Sequence, residues 1–160
     1  MKKSFHVCGR TELAGNHTDH QNGRILASTI QLGLTARVEA NDSGKIHLKA
    51  QGFGPREITL NQLGVRPREF GSPEALMRGV AAVFKGLGLN IGGFDGEIRS
   101  NLPVGAGLSS SAAFSVLIGR ILNELYNDGR VDPLVIEVLT ITDFRPLWLA
   151  ARANIMPSGG

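Results

Sequence analysis

The sequence is short of the residues that cross-link a chain or anchor it in a membrane. Its 160 residues include one cysteine, Cys8, with one tryptophan and one tyrosine. A single thiol excludes an internal disulfide and fits a reducing compartment. The longest apolar runs fall far short of the roughly 18 residues of a membrane span, and the start Met-Lys-Lys-Ser-Phe-His lacks the apolar region of a signal peptide. These absences predict a cytoplasmic protein without a membrane partner.

The sequence also lacks a large excess of charge of either sign. Lys and Arg number 17 against 14 Asp and Glu, a net charge of +3, and aromatic residues make up 6%. Without a dense Lys/Arg run or an aromatic surface, nucleic-acid binding is not expected, whereas an anionic small ligand is compatible with the charge. A hydrophobic content of 42% with 19% charged residues is typical of one soluble globular domain.

Alternating apolar and polar residues predict strands at 4–8, 34–40, 46–50, 57–60 and 94–98. Asn41-Asp42-Ser43-Gly44 is expected to form a hairpin turn between the second and third of these. The polar, glycine-punctuated stretch Gly9–Gly23 reads as a long loop, and long ordered loops tend to carry function. Together the strands predict a sheet with one wet face.

Three helices are expected. Ser72-Pro73-Glu74 is typical of a helix start, and Gly88 would end that helix after a buried stripe of Leu76, Val80, Val83, Phe84 and Leu87. A second, strongly amphipathic helix follows residue 113, and Asp132-Pro133 could begin a third. The predicted fold is α+β, a mixed sheet with helices on one face. Residues 140–160 lose clear periodicity.

The stretch Leu102–Ala113 (Leu-Pro-Val-Gly-Ala-Gly-Leu-Ser-Ser-Ser-Ala-Ala) leads directly into the second helix. Backbone N–H groups at a helix N-terminus favour an anion, and glycines let the backbone approach a ligand closely. The pattern therefore indicates a phosphate-binding loop. Glycine-rich turns and serine caps are also common without any ligand, and the run is neither a Walker A loop nor a dinucleotide fingerprint.

The Gly9–Gly23 stretch concentrates hydrogen-bonding side chains: Arg10, Glu12, Asn16, His17, Thr18, Asp19 and His20. Asx-type turns with solvated charges would explain it without any ligand. A metal site at His17 and His20 is only weakly indicated, because no further His or Cys partner accompanies them. Neighbouring sugar hydroxyls, which need several rigid donors and acceptors, fit the set better.

Two motifs carry a family resemblance. Gly9-Arg10-Thr11-Glu12-Leu13-Ala14-Gly15-Asn16-His17-Thr18-Asp19 resembles the galactokinase signature, and Pro103–Ala113 resembles the second motif of the GHMP small-molecule kinases. The resemblance implies a GHMP kinase N-terminal domain (ribosomal protein S5 domain 2-like) over residues 1–160. It also implies transfer of phosphate from ATP, with Mg²⁺, to galactose or a related hexose, giving galactose 1-phosphate.

The same resemblance implies roles for particular residues. Arg10 would be catalytic, lying against the transferred phosphate, while Asn16, His17 and Asp19 would hold the sugar. Asn16 stands where the family usually has Glu, which bears on sugar preference. Ser111 would also be the Mg²⁺ ligand. The ATP phosphates would be bound by Pro103, Gly105, Ala106, Gly107, Leu108, Ser109, Ser110, Ser111 and Ala112.

The family also uses an aspartate beside the sugar, in a later Gly/Ser-Gly-x-Met/Leu-Asp-Gln stretch. Pro157-Ser158-Gly159-Gly160 resembles the segment just before it. We therefore expect the chain to be an N-terminal portion, with 140–160 a poorly matching tail and the C-terminal domain absent. We expect this portion to be inactive on its own. Two alternatives stay open: a non-catalytic galactose- and ATP-binding regulatory relative, and an RNA-binding domain of similar topology.

Overall fold

The computed structural model describes residues 1–14, 26–51, 54–103 and 110–142. Within these residues the chain forms five strands, one short 3-10 turn and three α-helices. The strands are β1 (Lys3–Ala14), β2 (Leu26–Asn41), β3 (Lys45–Ala50), β4 (Arg56–Thr59) and β5 (Gly93–Ser100). The 3-10 turn is Pro67–Glu69, and the helices are α1 (Pro73–Gly86), α2 (Ser110–Tyr126) and α3 (Pro133–Thr142).

The five strands form one mixed sheet in the order β1-β2-β5-β3-β4. Neighbouring strands are antiparallel except β3 and β5, which run parallel. On β2, Leu34, Ala36 and Val38 are buried while Thr35 and Arg37 between them are exposed. One face of the sheet is therefore covered by the helices and the other is open to solvent, which confirms the predicted α+β fold.

The apolar residues of the helices and the covered sheet face form one buried cluster among the described residues. On α2, the predicted apolar positions Leu117, Ile118, Ile121 and Leu122 are fully buried. The stripe predicted for α1 is confirmed at Val80 and Phe84, but the helix buries Met77 and Ala81 while Leu76 and Val83 are only half-buried. Leu87 is 54% exposed, since α1 ends at Gly86 and the chain then turns through Gly88, at a φ of 73°.

The loop predicted for Gly9–Gly23 is wrong for its first part, Gly9 to Ala14. Strand β1 continues to Ala14 and pairs with the start of β2, and the register is interrupted between Cys8 and Arg10 and again between Glu12 and Ala14. These β-bulges let a glycine-containing, polar segment stay in the ladder while the strand bends. The rest of the predicted loop, and the tail beyond Thr142, lie outside the described residues.

The predicted hairpin is also wrong, although its turn is present. Residues 42–44 form the turn between β2 and β3, with Gly44 at a φ of 67°, but these two strands do not pair. Strand β5 lies between them, and Gly93 is its first residue, opposite Asn41. A Cβ at Gly93 would collide with Asn41 Oδ1 and would lie 2.6 Å from the Lys45 carbonyl oxygen. Glycine is therefore what allows β5 to enter between two consecutive strands.

The open face of the sheet carries interleaved acidic and basic side chains. His47 lies between two carboxylates, with Nδ1 2.9 Å from Asp95 Oδ1 and Nε2 2.8 Å from Glu57 Oε2. Hydrogen bonds from Asn41 and then His47 hold the pKa of Asp95 below its usual range, and Lys45 does the same for the pKa of Glu57. A shallow depression of about 370 Å³ on this face is lined by charges of both signs. We regard this face as solvated surface.

None of the helices in the described part of the chain has the length and apolar character needed to cross a membrane.

Candidate active site

Strands β1 and β5 end on the same side of the sheet. Each pairs antiparallel with β2, so the two run in the same direction and their carboxyl ends point the same way. Ser100, the last residue of β5, and Val7 of β1 both lie opposite Leu34 of β2, so with neighbouring strands about 4.8 Å apart they are separated by about 10 Å, and β1 continues beyond this level to Ala14. The polar stretch with its His and Asp residues follows β1, and the glycine- and serine-rich stretch follows β5. The fold therefore brings the first residues of the two sequence motifs to neighbouring positions on either side of β2.

Arg10 is an exposed residue of β1, opposite Thr29 on β2. The register jumps from the pair Cys8 and Gly33 to the pair Arg10 and Thr29, so β2 carries extra residues across from Gly9. A bulge of this kind bends the strand and redirects the side chains that follow it. Arg10 is thus the first residue of β1 that pairs with β2 beyond this irregularity.

Asn101, directly before the predicted phosphate loop (102–113), is bonded to β2 at Gly33. Gly33 N–H donates to Asn101 Oδ1 at 2.7 Å, and Asn101 N–H donates to the Gly33 carbonyl oxygen at 3.3 Å. The next residue, Leu102, is buried, and its N–H donates to Ser100 Oγ at 3.1 Å. Pro103 is exposed. The chain therefore leaves the sheet along a defined path.

The phosphate loop runs into the N-terminus of α2, a helix that packs on β1 and β2. Ser110 and Ser111 are exposed in its first turn, Ala112 is half-buried and Ala113 is buried. Ser115 Oγ donates to the Ser111 carbonyl oxygen at 3.0 Å. This first turn carries no acidic side chain, so nothing there opposes an anion at the positive end of the helix dipole.

Several of the proposed ligand residues lie outside the described residues. They are Asn16, His17 and Asp19 of the sugar motif and Gly105, Ala106, Gly107, Leu108 and Ser109 of the phosphate loop. The structure describes the other predicted site residues: Arg10 on β1, Pro103 after β5, and Ser110, Ser111 and Ala112 at the start of α2. Within the described ranges no group of three His, Cys, Asp or Glu side chains could hold a metal ion.

The comparisons with known proteins agree with both motifs. The family model described as GHMP kinases N terminal domain matches residues 75–142, and the galactokinase galactose-binding signature matches residues 3–39. The chain belongs to the GHMP kinase family. The first match covers α1 through α3 with the phosphate loop between them, and the second covers β1 and most of β2 with the sugar motif between them.

Curated relatives of this GHMP kinase domain are galactokinases. That of Lacticaseibacillus casei is 36% identical over 132 residues, which cover 82% of this chain and 34% of the relative. The Pyrococcus furiosus galactokinase is 39% identical over 127 residues, covering 79% of this chain and 34% of the relative. This chain therefore spans about a third of the length of the curated relatives it matches.

Solved structures confirm the GHMP kinase fold. Lactococcus lactis galactokinase complexed with galactose superposes with a TM-score of 0.77 at 27% identity, covering 89% of this chain and 38% of that one. The mevalonate kinase of Methanococcus jannaschii gives a TM-score of 0.75 at 19% identity, over 92% and 47% of the two chains, and supports the fold alone.

Gly33 and Asn101, which the structure joins at the start of the phosphate loop, were not among the predicted site residues. The available signal was weak: an asparagine directly before Leu102-Pro103, and a glycine inside an otherwise regular strand. A glycine in a strand often marks a bulge or a close backbone approach. A Cβ on Gly33 would indeed collide with the Val7 carbonyl oxygen.

Proposed function

We propose that this chain is the N-terminal portion of a galactokinase, which transfers the γ-phosphate of ATP to the C1 hydroxyl of galactose. The observation that carries the proposal is the shared direction of β1 and β5. Cys8, directly before the signature at Gly9, and Asn101, directly before the predicted phosphate loop, lie on opposite sides of Gly33 of β2, so the two motifs begin about 10 Å apart. Phosphoryl transfer needs such proximity between the sugar and the phosphates.

The sugar is held by the stretch that follows β1. Asp19 accepts hydrogen bonds from neighbouring sugar hydroxyls, His17 adds a ring nitrogen, and Asn16 offers an amide that both donates and accepts. An amide at position 16 lacks the charge of the family's usual Glu, which sets the hydroxyl pattern this site prefers. Galactose is the proposed substrate because the signature that matches is named for galactose binding.

ATP is held by the stretch that follows β5, and GHMP kinases use ATP. Backbone N–H groups of Gly105, Ala106, Gly107 and Leu108 bind the phosphates, with Ser109, Ser110, Ser111 and Ala112 at the start of α2 and Pro103 at the entry. The exposed serine hydroxyls and the absence of an acidic side chain in the first turn of α2 fit an anionic ligand. When bound, Mg²⁺ would neutralise phosphate charge, and Ser111 would contribute its hydroxyl as the protein ligand.

The protein's part in the reaction is positioning and charge stabilisation. The Arg10 guanidinium binds the transferred phosphate and the reacting sugar oxygen, where negative charge develops. The 160-residue chain spans about a third of the related enzymes, so we expect it to bind both ligands with little turnover of its own. A loss of several kcal/mol of transition-state stabilisation lowers a rate by several powers of ten.

Isothermal calorimetry on the 160-residue chain tests the proposal. We expect saturable binding of galactose and of MgATP. Asp19→Ala should weaken galactose binding by about tenfold or more with MgATP binding retained, because it removes the carboxylate proposed to accept from the sugar hydroxyls. Ser111→Ala should weaken MgATP binding selectively. Asp42→Ala, in the exposed turn after β2, is the matched control and should change neither.

No heat from either ligand would refute the proposal. Steeply salt-dependent RNA binding without a response to galactose would instead favour the RNA-binding alternative. Full MgATP and galactose binding, together with undiminished binding by both variants, would remove the residue roles but keep the ligands.

A further inference from the structure

The phosphate loop needs a fixed starting point if it is to meet a sugar held by a different segment. We propose that Asn101 is the positioning residue that sets this starting point, by fastening the beginning of the loop to Gly33 of β2. The inference rests on the proposed function, because it concerns the same two ligands. It adds a residue to which neither motif nor the sequence analysis assigned a role.

Two hydrogen bonds join Gly33 and Asn101. Gly33 N–H donates to Asn101 Oδ1 at 2.7 Å, and Asn101 N–H donates to the Gly33 carbonyl oxygen at 3.3 Å. The regular β2–β5 ladder ends one step earlier, at the pair Leu34 and Ser100. Asn101 therefore extends the ladder by one residue and uses its side chain in place of a backbone acceptor. A backbone bond alone would leave the buried Gly33 N–H without this acceptor.

Gly33 is also the point at which β2 meets β1 before the bulge. It pairs with Cys8, and the next paired residue on β1 is Arg10. A Cβ on Gly33 would collide with the Val7 carbonyl oxygen, so the two backbones approach closely there. One residue of β2 thus contacts both the strand that carries Arg10 and the start of the phosphate loop. Through this residue, Asn101 sets the position of the loop relative to Arg10.

A variant without the Asn101 side chain should still fold. Leu102, next in sequence, is buried, and its N–H is held by Ser100 Oγ at 3.1 Å. These contacts keep the strand end in place while the loop that follows gains freedom. The loop after Asn101 is the one proposed to bind ATP, and a small misplacement of its binding groups weakens binding. We therefore expect lower affinity for MgATP and unchanged affinity for galactose.

The test compares three variants of the 160-residue chain. Asn101→Ala removes the acceptor, Asn101→Asp keeps an acceptor oxygen at the same position, and Asn61→Ala alters an exposed asparagine after β4 as a control. The measurements are MgATP and galactose affinity by calorimetry, together with amide hydrogen exchange of Gly33 by NMR.

For Asn101→Ala we expect MgATP affinity to fall about tenfold, galactose affinity to stay within about twofold, and Gly33 exchange to accelerate at least about tenfold. Asn101→Asp should restore Gly33 protection, because its carboxylate still accepts from that N–H. Because the carboxylate of Asn101→Asp also repels the phosphates, the rescue is measured by Gly33 protection and not by MgATP affinity. Asn61→Ala should match the unaltered chain in all three.

Unchanged MgATP affinity in a folded Asn101→Ala chain would overturn the inference, and so would equal weakening of both ligands. If Asn101→Ala does not fold, Asn101→Ser carries the same comparison with a shorter polar side chain. Absence of MgATP binding by the unaltered chain would refute the proposed function instead. Gly33 protection would then still report whether Asn101 fastens the strand.

Discussion

Arg78 is a charged side chain inside the protein, only 4% exposed, and Glu69 holds it there. Its Nε and Nη2 donate to the two carboxylate oxygens of Glu69, each at 2.9 Å, and Nη1 donates to the Gln62 carbonyl oxygen. These bonds fasten the segment between β4 and α1 to the helix. The Arg78 guanidinium holds the pKa of Glu69 below its usual range. A buried cation of this kind is tolerated because its partners satisfy it.

Glu69→Gln should lower the free energy of unfolding by about 3 kcal/mol at pH 7, because it leaves Arg78 buried without a counter-charge. Since the folded pKa of Glu69 is lowered, its contribution is present above the unfolded pKa, roughly 4.3, and is lost as the pH falls through the folded value. The difference between the two proteins should therefore shrink below about pH 4. Urea unfolding at pH 7 and pH 3 measures it.

Glu97→Gln is the control for this pair, because Glu97 is exposed on the open face of the sheet. It should change stability by less than about 0.5 kcal/mol at either pH. A Glu69→Gln deficit that stays constant down to pH 3 would contradict the electrostatic explanation.

The central element of the sheet is β5, which enters between β2 and β3 although those two strands follow one another in the chain. Two glycines make this possible. Gly93 faces the turn that joins β2 to β3, and a Cβ at Gly96 would lie 2.8 Å from Val38 Cγ1 and 2.9 Å from Leu48 Cδ2. Side chains of both flanking strands therefore occupy the space that a larger residue of β5 would need. The arrangement puts the carboxyl end of β5 one strand away from β1, where the proposed site forms.

Gly93→Ala should destabilise the domain by about 1–3 kcal/mol, because the added methyl group forces Asn41 and Lys45 apart. The expected observation is a lower midpoint in urea with an unchanged slope. Gly64→Ala is the matched control, since a Cβ there meets nothing within 4 Å. That change should be neutral or should stabilise by up to about 1 kcal/mol. Equal midpoints for the two variants would refute the role given to Gly93.

At the scale of the whole molecule, one buried cluster connects the sheet, α1, α2 and α3 in the described part of the chain. Helix α2 packs on β1 and β2, and its carboxyl end is bonded to the first residues of β1 and β5, through Lys3 with Glu124 and Gly93 with Tyr126, so its N-terminus points towards the end of the sheet where β5 stops. The core thus holds the two halves of the proposed site in register. Stability and ligand binding should therefore be lost together.

Leu117→Ala should lower the free energy of unfolding by about 3 kcal/mol, because Leu117 is fully buried at the middle of α2. Calorimetric unfolding should show one cooperative transition in both proteins, shifted to lower temperature in the variant. Leu87→Ala, at a residue 54% exposed, should cost less than about 1 kcal/mol. Two separate transitions, or equal effects of both changes, would contradict a single shared core.

Local signals in the sequence determined most of the elements. Ser72 accepts from Ala75 N–H and Asp132 Oδ1 accepts from Leu134 N–H, as expected of residues that begin α1 and α3. The spacing of apolar residues in α2 and the alternation in β5 depend on neighbours along the chain, which the sequence displays directly. The family followed from two motifs, and the comparisons confirm it. The roles of Asn16, His17 and Asp19 stay predictions.

Contacts between distant segments were decided by the tertiary structure. The apparent hairpin at residues 41–44 gave no sign that β5 would enter it, because that order depends on Gly93 and Gly96 meeting side chains far away in sequence. The continuation of β1 to Ala14 required a partner in β2, and the bond between Gly33 and Asn101 joins residues 68 positions apart. Strand order and register are set by the burial of one sheet face against the helices. The free energy of this burial depends on contacts among several distant segments, so no local sequence pattern encodes it.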